Sequence, residues 1–114
     1  MKIKRLVDEI PWGPHPIAAD VELKPLVTWK EDNASVTCML VKIPAGKDVP
    51  EHIHNDQDDI LFPLSGHGVM WVEGVGDFAL VPGVVVRVPK GVRHKIAEVT
   101  EELVVYDVFS PHLI

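Results

Sequence analysis

Short apolar runs rich in valine, isoleucine and leucine recur through this chain, and glycine or proline closes nearly every one of them. From about Val21 onward the runs are Leu26–Trp29, Val36–Val41, Ile60–Leu64, Val69–Val72, Phe78–Val81, Val84–Val88, His94–Ala97 and Leu103–Phe109. The breaks carry turn chemistry: Glu31 to Ser35, Pro44-Ala45-Gly46, Gly66, Gly74 to Asp77, Pro82-Gly83 and Pro89-Lys90-Gly91. Runs this short, at intervals of about 8–12 residues, cannot supply the long amphipathic stripe a helix needs. They predict an all-β chain whose strands pair antiparallel in a sandwich or barrel. No helical pattern of useful length follows residue 20. Before it, Ile3, Leu6, Val7 and Ile10 have helical spacing, but Pro11 ends so short a segment, and an extended course is expected. Pro11, Pro14 and Pro16 then predict an extended crossing, with His15 as a surface-loop histidine.

At 114 residues with 46% apolar side chains, the chain has enough material for one core without staples. No linker, repeat or low-complexity tract divides it, so residues 1–114 are expected to form one domain. The single cysteine, Cys38, excludes an internal disulfide and suits a reducing cytoplasm. No signal-like apolar core opens the chain, and no run reaches the roughly 18 residues of a spanning helix. A cytoplasmic protein without membrane contact is expected. The net charge of −6 and the lack of a basic, aromatic patch argue against nucleic-acid binding.

The stretch Gly46–Gly66 holds the densest chemistry. His52 and His54 stand two residues apart, and Asp56, Asp58 and Asp59 follow. Residues two apart on a strand share a face, with Cβ atoms about 7 Å apart. Two imidazoles so placed can hold one metal ion at roughly 2.0–2.1 Å. A third histidine, His94, lies downstream in Pro89–Ile96. Neutral imidazoles with a carboxylate suit a divalent transition ion: Fe, Mn, Co, Ni, Cu or Zn. Gln57 and Asp59 share strand parity, whereas Asp58 points the other way, so any of the three remains open as the oxygen donor.

Two spaced motifs carry a resemblance. Gly46, five residues, His52-x-His54, four residues, Asp59, six residues and Gly66 match the first motif of the cupin superfamily, with Asp in place of its usual Glu. Gly83, five residues, Pro89-x-Gly91, two residues, His94, three residues and Glu98 match the second, with Glu in place of Asn. The motifs span 46–66 and 83–98 and together cover about half the chain. The chain thus resembles small single-domain cupins, which implies a jelly-roll β-barrel, also called a double-stranded β-helix, with a metal site in its mouth. The resemblance implies His52, His54, Asp59 and His94 as ligands of one ion per chain. Because such barrels host many reactions, it does not name the chemistry.

Three further residues are candidates for substrate contact. Cys38 shares a face with Val36 and Leu40 and reads first as a buried thiol, with a place on the barrel's inner wall as the alternative. Arg87 interrupts a valine-rich strand; facing inward, it would clamp a substrate carboxylate. Glu98 shares parity with His94 and Ile96 and would add a second carboxylate near the site. His67 and Trp71 read as packing residues, and His112 as solvated. Surplus aromatic and apolar surface, with open sheet edges to protect, predicts a homodimer. The expected function is a metal-dependent enzyme on a small organic molecule, of oxygenase, isomerase or lyase type. A non-catalytic ligand-binding or sensing module is the rival.

Overall fold

The computed structural model describes residues 3–114. Eight strands follow in order: β1 (Gly13–Pro14), β2 (Glu22–Val27), β3 (Thr37–Ile43), β4 (Val49–His52), β5 (Asp58–Val72), β6 (Gly76–Leu80), β7 (Val86–Val88) and β8 (His94–Ser110). Every pairing between them is antiparallel. The architecture is an antiparallel jelly-roll barrel.

Two strands are far longer than the sequence pattern suggests. Ile60–Leu64 and Val69–Val72 belong to one 15-residue strand, and His94–Ala97 and Leu103–Phe109 to one of 17 residues. These two strands pair along their whole length, from Asp58 opposite Ser110 to Val72 opposite His94. Register shifts between Pro63 and Val69 bend the pair without ending it. Gly66 sits at that bend with φ 93°. A Cβ there would strike the Glu102 carbonyl and lie 2.7 Å from Leu103 Cα, so only glycine lets the two strands approach so closely.

The bend divides the pairing into two layers. The first half of β5 and the second half of β8 continue through β3, β2 and β1 on one side and β7 on the other. The second half of β5 and the first half of β8 carry β6 and β4 on their flanks. Alternate residues face inward: on β3, Thr37, Met39, Val41 and Ile43 are buried while Cys38, Leu40 and Lys42 are half-buried. On β8, Leu103, Val105, Asp107 and Phe109 face inward. Ile43, Met70, Leu80 and Leu103, all at 0% exposure, mark the packed part of the core.

Local chemistry also departs from the expected run at Leu26–Trp29. The strand ends at Val27, and residues Trp29–Asp32 form a one-turn helix, α1. Thr28 caps it: its hydroxyl accepts from Glu31 N–H, and its own N–H donates to the Asp32 carboxylate at 2.9 Å. Asn33, at φ 53°, ends the turn in the left-handed region. Near the N-terminus, Val7–Glu9 forms a single 3-10 turn rather than extended chain.

Candidate metal centre

His52 closes β4 and stands directly opposite His94 across the β4–β8 pair. His54 lies two residues on, in a loop tied to the Pro89–Val92 turn by a hydrogen bond from Gly91 N–H to the His54 carbonyl, 2.8 Å. Asp59 faces inward from β5, opposite Phe109. The structure thereby brings one donor atom each from His52, His54, Asp59 and His94 within 4.8 Å of one another. Asp58 points outward to Arg87 and the Lys90 N–H, and Gln57 donates to the His112 carbonyl, so neither reaches the group.

The rings are held in one tautomer. His52 Nδ1 lies 2.8 Å from the Pro50 carbonyl, and His94 Nδ1 lies 3.0 Å from the Val92 carbonyl. A carbonyl only accepts, so both Nδ1 atoms carry the proton and both Nε2 atoms are left as lone-pair donors. Burial lowers the pKa of His52 and of His54, which favours the neutral, ligating form.

The donor set fits a cation on independent grounds. His94 Nε2 sits 3.3 Å from Asp59 Oδ2, yet it is buried without a hydrogen-bond partner. With Nδ1 protonated, Nε2 and the carboxylate oxygen are two acceptors facing each other. Such a pair requires a positive species between its members, a proton or a metal ion.

Asp107, which lies outside both motifs and which sequence reasoning misses, completes the group. It projects from β8 on the same inner face, diagonal to Asp59, and is 6% exposed. Oδ1 of Asp59 and Oδ1 of Asp107 are both buried with no protein donor. Burial and the Asp59 charge push the Asp107 carboxyl well above the ordinary range. Burial also works against ionised Asp59, but hydrogen bonding from Asp107 and, when it is protonated, His94 hold its pKa below the usual value. One proton held by Asp107 and donated to Asp59 accounts for both atoms. The signal is present in the sequence: Asp107 is the one charged residue in the inward series Leu103, Val105, Asp107, Phe109.

The group lines a cavity of about 430 Å³. Apolar side chains from Met39, Val41, Leu61, Ile96, Val105 and Phe109 form most of its wall. His15 also lines it and is half-buried rather than a free surface histidine; burial and His52 lower its pKa. Leu113 and Ile114 cover part of it, held by the Thr37 hydroxyl, which accepts from both their N–H groups. His112 stacks on Trp29, with centroids 5.3 Å apart, instead of standing in solvent.

The three expected substrate contacts lie elsewhere. Cys38 shares a face with Leu40 as anticipated, but Thr37 and Met39 take the inner face, so Cys38 is half-buried on the outside. Arg87 faces out between buried Val86 and Val88 and pairs with Asp58 at 3.0 Å. Glu98 is exposed because it adopts φ 49° beside the register shift, which breaks the alternation begun at His94 and Ile96. His67 Nδ1 lies 3.3 Å from the Thr100 hydroxyl, and Trp71 packs under Lys95, both away from the cavity.

Comparison with known proteins places this geometry in a family. The chain is 38% identical over 82 residues to an uncharacterized protein of Streptomyces coelicolor, covering 72% of this chain and 74% of that one. KdgF from Halomonas sp. superposes with a TM-score of 0.78 at 23% identity, over 93% of this chain and 92% of its own. A predicted oxalate decarboxylase from Thermotoga maritima superposes with a TM-score of 0.81 at 22% identity, over 93% and 96%. The family model for the cupin domain matches residues 39–109, which take in both histidine motifs and the bent β5–β8 pair, and the chain accordingly belongs to the cupin family.

Proposed function

We propose that this chain is a metal-dependent enzyme acting on a small organic molecule, with one divalent transition ion held by His52, His54, Asp59 and His94. The observation that carries the reading is the His94 Nε2–Asp59 Oδ2 pair: two acceptors at 3.3 Å, buried in the wall of a cavity and lacking a donor. The Pro50 and Val92 carbonyls would fix the ring orientations, and Asp107 would hold Asp59 in place. A bound ion would supply a Lewis acid to a ligand oxygen, or oxygen chemistry if it is iron. The apolar wall would exclude water from the site. The oxalate decarboxylase assignment of a structural neighbour supports an enzyme over an inert barrel, by analogy of fold.

A binding or sensing module is the second reading. It is favoured by the largely apolar cavity wall, which among the described residues carries only His15 as a polar side chain besides the histidine–aspartate group. We further read the protein as a cytoplasmic homodimer. The unpaired Cys38 and the exposed apolar outer face, with Phe62 46% and Leu64 50% exposed, support this.

The test is elemental analysis of untagged protein. Near-stoichiometric metal is expected in the wild type, with nearly complete loss in His52→Ala and His94→Ala. No uptake after reconstitution with Fe(II), Mn(II), Co(II), Ni(II), Cu(II) or Zn(II) would overturn the metal reading. Metal uptake with tight ligand binding but no product would favour the sensor.

A further inference from the structure

We infer that the cavity selects a largely apolar molecule of one or two rings with at most one negative charge, carrying one oxygen donor for the histidine–aspartate group and a second acceptor for His15. The inference rests on the reading of His52, His54, Asp59 and His94 as a metal centre, and it names the ligand class for that centre.

Size comes first. A volume of about 430 Å³ equals that of roughly 14 waters at ~30 Å³ each. That suits a molecule of one or two rings and is generous for a two-carbon acid. Wall chemistry comes second. Besides the five residues of the histidine–aspartate group, the only polar side chain lining the cavity among the described residues is His15. A small acid or a sugar would leave most of its polar atoms against Met39, Leu61, Ile96 and Val105, without partners.

Charge gives the sharpest criterion. A divalent ion beside ionised Asp59 leaves at most one unit of positive charge, and Asp107 cannot add to it. Among the described residues, no lysine or arginine lines the cavity. The outward turn of Arg87, which pairs with Asp58, removes the one candidate for a carboxylate clamp. The second charge of a dianion would therefore be buried against apolar wall with no counter-charge, an unfavourable arrangement.

His15 sets the second contact. Its Nδ1 accepts from Ile17 N–H at 3.2 Å, so the ring proton of the neutral form sits on Nε2. His15 therefore offers the cavity a hydrogen-bond donor. It stands beyond β1, outside the histidine motifs, and is independent of the metal ligand set.

The experiment compares 2′-hydroxyacetophenone, a neutral ring with two oxygens, with phthalate, a dianion of similar size, and with oxalate. Calorimetry measures affinity, and methyl NMR locates binding at Met39, Leu61 and Val105. Both are run on metal-loaded and metal-stripped protein. The neutral ketone is expected to bind at least ten-fold more tightly than either dianion. His15→Phe is expected to weaken it by about 5- to 20-fold, in keeping with one lost hydrogen bond, while the metal content stays unchanged. Phthalate or oxalate binding as tightly as the ketone overturns the inference, as does failure of the ketone to bind either form. Unchanged affinity in His15→Phe overturns the donor role of His15. If the protein takes up no metal but still binds the ketone in the cavity, the ligand class stands and the metal reading falls. If it takes up metal but does not bind the ketone, the metal reading stands and the ligand class falls.

Discussion

At the level of single residues, Asp107 shows how one carboxyl can serve another. Its Oδ1 and that of Asp59 are buried without donors, and a proton on Asp107 satisfies both. Asp107→Asn keeps a donor for Asp59 and is expected to stay within about 1 kcal/mol of the wild type in urea unfolding. Asp107→Ala leaves Asp59 unsatisfied and is expected to lose about 1–3 kcal/mol. An Asn variant as unstable as the Ala variant would contradict the shared proton. A second residue, Tyr106, lies on the outer face of β8 near Cys38. A hydrogen bond to Cys38, with some burial, pushes its pKa up to about 12. The protonated phenol is thus favoured in the folded chain. Its stabilising contribution is fully present below pH 10, the ordinary value, and fades as pH rises to about 12. The chain has one tyrosine, so phenolate absorbance reports it directly. Titration near 12 in the folded protein, moving back towards 10 in Cys38→Ala, is expected.

The elements that matter most are β5 and β8, because their shared bend makes one long pair serve both layers. Gly66 permits that bend, and two glycines separate the reasons it must be glycine. Gly74 has φ 81° but open space where a Cβ would sit, whereas Gly66 has φ 93° and a backbone collision. Gly74→Ala is expected to lose about 1 kcal/mol, the conformational cost alone. Gly66→Ala adds the clash with Glu102 and Leu103, and a loss of about 3 kcal/mol or more is expected. Urea midpoints for the two variants measure the difference directly; equal losses would show that the β5–β8 approach relaxes freely.

Over the whole molecule, the balance between inner and outer faces decides what is left for a partner. The outer face of the layer containing β3, β8 and β5 carries Leu40, Val104, Val108, Ile60, Phe62 and Leu64 by strand alternation. Apolar surface of this extent on one sheet face favours association. Light scattering at micromolar concentration is expected to give about 25 kDa, twice the 12.6 kDa chain. Phe62→Glu with Leu64→Glu is expected to give the monomer mass while the protein stays folded. A wild-type monomer would remove the dimer reading.

The spacing of turns and apolar runs, together with the two motifs, was enough to establish the β-barrel class and to single out His52, His54, Asp59 and His94. These are local properties: strand propensity, turn chemistry and side-chain spacing act over a few residues. The facing of Cys38, Arg87 and Glu98, the inward turn of Asp107, the fusion of four short runs into β5 and β8, and the approach of His15 to the cavity were decided by tertiary structure. Strand parity has two solutions until packing selects one, and a single bulge at Glu98 reverses it. His15 and His94 meet the same cavity only because β1–β2 and β4–β8 close over a common interior.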